Sequence, residues 1–85
     1  MIINLICIGD NINDHNSAKY TAKMINSITS CIVYQKSIKF NEHPTIQCLI
    51  AQLENLYNYN IIEKLLEVNE SGTFIMSSTI NGITF

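Results

Sequence analysis

Five side chains in this sequence have the type and spacing to do chemistry: Asp10, Asp14, His15, His43 and Cys48. Asp10 and Asp14 stand four residues apart where an aliphatic run ends in a polar loop. Two carboxylates so placed can share a divalent cation such as Mg²⁺, and the N–H groups of a following helix start favour anions. His15 joined to them would complete a carboxylate–imidazole metal site. Adjacent residues point in different directions on most backbones, however, so Asp14 and His15 are not expected to converge, and both histidines read as solvated loop residues. Cys48 follows His43 by five residues, across a loop–helix junction with no geometry suited to a Cys–His pair. Cys7, Cys31 and Cys48 are odd in number and form no Cys-x-x-Cys pair. Each sits in an apolar run, which predicts buried free thiols and a reducing, cytoplasmic setting.

The stretch Gly9-Asp10-x-x-Asn13-Asp14, after its aliphatic run, resembles the magnesium-binding fourth motif of haloacid-dehalogenase-like phosphatases. The resemblance implies Mg²⁺ held by Asp10 and Asp14. That family also needs an earlier Asp-x-Asp nucleophile, and only nine residues precede Asp10. Gly9-Asp10-Asn11-x-x-Asp14 is similar to the first block of GDSL-type esterases, with Asn11 where the nucleophilic serine belongs. An asparagine cannot accept an acyl group. A later Asp-x-x-His is missing as well. Neither resemblance carries a complete catalytic set, so catalysis is not expected, and the loop reads first as a helix entry rich in capping residues.

These residues must be positioned by a single domain, 1–85, near the lower limit of chains that fold without staples. The chain is 47% hydrophobic and only 14% charged, where about a quarter is usual. Apolar residues in that excess predict a surface that faces a protein partner or a second copy of the chain. All five basic residues are lysines and net charge is −2. Nucleic-acid binding calls for clustered cations, and arginine above all, so neither nucleic acid nor an anionic membrane is an expected partner. Heavy use of Ile and Asn without Arg fits an AT-rich genome, as of a phage or virus.

Periodicity predicts the order β-α-β-α-α-β-β. Ile2 to Ile8 reads as a strand covered on both faces. Asp14, Asn16 or Ser17 is expected to cap a helix whose inner side carries Ala18, Ala22, Ile25 and Ile28. Cys31 to Phe40 alternates as a strand, with Lys36 on its apolar side as a misfit suited to an edge. Pro44 can open the next helix at its first position. There Ile46, Leu49, Ile50, Leu53, Leu56 and Tyr57 form an i, i+3, i+4, i+7 stripe that should face the core. Asn60 with Glu63 suggests a capping box for a shorter helix. Thr73 to Ile80 is β-rich, and Asn81-Gly82 signals a hairpin. A parallel, right-handed β-α-β start and an antiparallel end give an α/β fold with one mixed sheet, or alternatively an α+β two-layer sandwich.

The function expected from this is a small non-catalytic protein-binding module, self-associating or acting as a phage- or virus-encoded inhibitor of a host factor. Tyr59, Ile62 and Leu66 are the expected contact residues, since they lie off the main stripe. A small-ligand or divalent-metal protein using the Gly9–Asp14 loop is the alternative.

Overall fold

A computed structural model describes all 85 residues. The elements are β1 (Ile2–Gly9), α1 (Ile12–Ile28), β2 (Ile32–Lys39), α2 (Ile46–Asn58), α3 (Ile61–Glu67), β3 (Gly72–Ile75), β4 (Thr79–Ile80) and β5 (Ile83–Thr84). The α/β class stands, and the helix–strand order holds through α3, after which the β-rich run Thr73 to Ile80, read as one strand, is two, β3 and β4. The expected single mixed sheet is divided in two. One sheet is wholly parallel in the order β1-β2-β3, and the hairpin β4-β5 forms its own antiparallel sheet. The break comes at Met76-Ser77-Ser78, where the β-rich run leaves β2 after Met76 N–H donates to Lys39 O at 2.9 Å. Asn81 and Gly82 both have positive φ, 52° and 80°, which is the backbone a two-residue hairpin turn requires.

Strand alternation assigns the two faces of the parallel sheet. Residues Ile3, Leu5, Cys7 and Gly9 pair with Val33, Gln35, Ser37 and Lys39 on one face. Helix α1 lies there, its Ala18, Ala22 and Ile25 turned inward while Ile28, expected inside, is exposed. Asn4, Ile6 and Ile8 pair with Tyr34, Lys36 and Ile38 on the other face. Helix α3 covers that side, and Ile38, Phe40, Ile61 and Met76 form the buried cluster with Ile6, Leu56 and Leu65 against it. Both connections step the same way across the sheet, yet their helices lie on opposite faces. The two crossovers therefore have opposite hands, and one is of the rare left-handed kind.

The molecule measures 45 × 25 × 13 Å, with a radius of gyration of 14.2 Å. A compact domain of this length has a radius near ~12 Å. Three strands span about 10 Å and each packed layer adds about another 10 Å. The 13 Å dimension is therefore the width of the sheet across its strands, and the helix layers fill the 25 Å dimension. The sheet is narrow for its length, and both of its outer strands are open edges.

Candidate functional site

Asn11, not a later residue, caps α1: its side chain accepts the Asn13 N–H at 2.8 Å. Most of the expected loop is thus the first turn of the helix. Asp14 folds back over the end of β1, and a Cβ on Gly9 would stand 3.1 Å from its Oδ2. Burial, and then the negative charge of Asp14, push the Cys7 thiol above its ordinary range. At Asp10 the backbone carbonyl accepts from Lys39 Nζ at 2.5 Å. Nowhere do three His, Cys, Asp or Glu side chains gather to hold a metal ion, so Asp10 and Asp14 have no third ligand of those types beside them.

His15 is not a solvated loop residue. It is 1% exposed on the inner side of α1, with Nε2 3.0 Å from the Gly9 carbonyl. A carbonyl only accepts, so Nε2 carries the proton, and Nδ1 has no partner. The ring ties the start of α1 to the end of β1. His43 is exposed in the loop before α2, as expected, at a left-handed φ of 47°. Cys48 is buried, and its Sγ takes the amides of Asn41 at 3.3 Å and Gln52 at 3.4 Å. It is a packed thiol with no histidine partner.

The largest departure from expectation is α2. Its buried residues are Cys48, Ala51, Gln52 and Asn55. The apolar stripe points outward, with Ile46 at 76% and Tyr57 at 82% exposure, and Leu49, Ile50 and Leu53 exposed between them. Of that stripe only Leu56 turns to the core. The inward amides are satisfied, which is what makes their burial tolerable. Gln52 Oε1 accepts Asn41 N–H at 2.8 Å, and its Nε2 donates to Cys48 O at 3.2 Å. Asn55 Nδ2 donates to Ser77 O at 2.7 Å and Thr79 O at 3.2 Å. Thr45 caps this helix by accepting Cys48 N–H, so Pro44 precedes the cap and does not open the first turn.

Helix α3 splits its apolar residues between two sides. Ile61 and Leu65 face the core, while Ile62 and Leu66 are exposed, as is Tyr59 before the helix. All three residues expected to contact a partner are exposed, Tyr59 on the side that faces β3 and Ile62 and Leu66 outside that lining. Asn60 has a left-handed φ of 50° and makes no side-chain cap bond, so the expected capping box does not form. A groove of 510 Å³ runs between α3 and β3, lined by Ile61, Leu65, Val68, Phe74 and Met76, with Lys64 among the polar residues.

Lys36, too, departs from its expected place. It lies on the central strand, not at an edge, and is 2% exposed. Its Nζ donates to Asn4 Oδ1 at 2.7 Å, Val68 O at 2.6 Å and the Leu65 carbonyl. Its position on the apolar side of an alternating strand was the available signal.

No family model, curated protein or solved structure matches this chain.

Proposed function

We propose that this chain is a non-catalytic protein-binding module. The observation that supports this reading is the outward stripe of α2, Ile46, Leu49, Ile50, Leu53 and Tyr57. The inward amides of α2 are bonded, but its outward aliphatics gain nothing in water. Its stripe becomes favourable once a protein surface covers it, at roughly 25 cal/mol for each Å² of apolar area removed from water. Only Glu54 within α2 is charged, so the stripe offers apolar contact and shape, not charge steering. Tyr59, Ile62 and Leu66 add exposed apolar surface after α2 and on α3, and tyrosine suits an interface with one wet edge. An Ile- and Asn-rich, arginine-free chain fits a phage or viral gene, with a host cytoplasmic protein as the partner class.

The test is site-specific photocrosslinking in the cell that expresses the protein. A benzophenone side chain at Ile50 is expected to give discrete adducts with protein, and one at Thr21, exposed on α1 and not among the helix residues beside β3, is expected to give none. Equal, diffuse labelling from both positions would overturn the reading.

A further inference from the structure

We propose that two copies of this chain join antiparallel through their β3 strands, about a two-fold axis at Phe74, into one continuous sheet. The inference deepens the protein-binding reading and names a partner for a second surface, the sheet edge.

Strand β3 pairs with β2 on one side only. Met76 N–H donates to Lys39 O, so by strand alternation Met76 and Phe74 direct their backbone groups at β2. Thr73 and Ile75 direct theirs away from it. No turn, loop or side-chain bond takes up those N–H and C=O groups. The segment Gly72–Ile75 is exposed throughout and has no charge, proline or bulge to deter pairing.

A second copy can pair with this edge strand to strand. In an antiparallel pair centred on Phe74, Thr73 stands opposite Ile75 of the other copy, and Ile75 opposite Thr73. Both are hydrogen-bonded pairs, each exchanging an N–H and a C=O in both directions. Every outward group of β3 is then satisfied. The Phe74 residues meet as a close non-hydrogen-bonded pair on the face that bears the groove, so the two grooves face each other across the axis. The β1 edge is open too, but no comparable cavity adjoins it.

The total surface area leaves room for an interface. The chain exposes 5812 Å². A compact protein of 9.6 kDa exposes about 5,100 Å². The excess, about 700 Å², is close to the ~800 Å² that each partner gives up in a standard interface. Pairing through β3 doubles the three-strand width of the sheet.

Light scattering of the purified full chain at about 100 μM is expected to give twice the 9.6 kDa mass. Ile75→Pro removes an N–H that serves no bond within the chain, so it is expected to give a monomer with an unchanged circular dichroism spectrum. Should that variant fail to fold, Phe74→Cys serves instead. Mild oxidation is expected to yield a disulfide-linked dimer whose bridge maps to position 74 in both copies. Leu53→Glu, on the α2 stripe, is expected to leave the dimer intact. A wild-type monomer at this concentration overturns the proposal, as does a dimer that survives Ile75→Pro or is lost in Leu53→Glu. Adducts from Ile50 with other proteins, seen alongside such a monomer, would keep the binding reading while removing the β3 dimer.

Discussion

The ammonium of Lys36, on the central strand, donates to the backbone carbonyl of Val68 at 2.6 Å, just past the end of α3. The Leu65 carbonyl and Asn4 Oδ1 take its other protons. A buried lysine normally costs stability unless its donors are satisfied. Here all three are, by groups that carry no formal charge. Two of those groups are carbonyls of the last turn and cap of a helix, where partners are scarce and a cation is favourable.

Lys36→Met keeps the chain's bulk but leaves the Leu65 and Val68 carbonyls and the Asn4 amide without this donor. The expected loss is about 1–3 kcal/mol. Thermal unfolding followed by circular dichroism should show it, at roughly 4–8 °C in the midpoint for each kcal/mol in a domain this size. An unchanged midpoint would mean the ammonium contributes nothing to anchoring α3.

The inverted α2 gives opposite expectations for two neighbouring residues. Leu53→Glu alters an exposed side chain and should change stability by no more than about 0.5 kcal/mol. Gln52→Leu makes the helix more apolar, yet it strands Asn41 N–H, and the expected loss is about 1–3 kcal/mol. Urea unfolding of the two variants decides it. The reverse order would place the aliphatic stripe inside.

Gly9 and Asp14 form a testable pair. A methyl at position 9 would sit 3.1 Å from Asp14 Oδ2, so the carboxylate must give by a few tenths of an ångström. Gly9→Ala is expected to cost up to about 1 kcal/mol in the natural background and less in Asp14→Ala. A double-mutant cycle measures the coupling directly. Additive costs would deny the contact.

Cys7 is held above the ordinary thiol range by burial and by Asp14. Less thiolate is present at a given pH, so its alkylation at pH 8 should be slower than that of a small free thiol. Asp14→Asn should speed it in part, since burial remains. The sign for stability follows from linkage. The unfolded chain loses this proton at a lower pH than the folded one, so the contribution is full below the ordinary thiol range and declines as pH rises through it. Alkylation mapped by mass spectrometry over a pH series, with and without Asp14→Asn, tests both the direction and the cause.

Periodicity revealed the elements because each strand and helix has its own repeat of apolar residues. It failed on α2 because a stripe of Ile and Leu reads as an inner face by default. What reverses it is a set of backbone groups outside the helix, at Asn41, Ser77 and Thr79, that Gln52 and Asn55 satisfy. Local pattern contains no information about those partners. Lys36 stood out in the strand, but its acceptors at Asn4, Leu65 and Val68 lie roughly thirty residues away. His15 gave no warning, since nothing about a histidine beside Asp14 announces a ring packed against the Gly9 carbonyl. Tyr59, flanked by two asparagines, is exposed as expected, and so are Ile62 and Leu66, but the main stripe is exposed as well, so position relative to it does not account for their exposure.

The place of β2 between a long neighbour and a short one has a consequence for amide hydrogen exchange. Ile32 N–H donates to Met1 O and Phe40 N–H to Gly9 O, so the even-numbered amides of β2 face β1 across an eight-residue ladder. The odd-numbered amides face the other way. Gln35 N–H reaches only the Ser71 hydroxyl, and the ladder with β3 covers four residues. Opening of the β3 side breaks fewer bonds and returns the Lys36 ammonium to water. Protection along this one strand should therefore alternate residue by residue, slow at Tyr34, Lys36 and Ile38 and faster at Val33, Gln35 and Ser37.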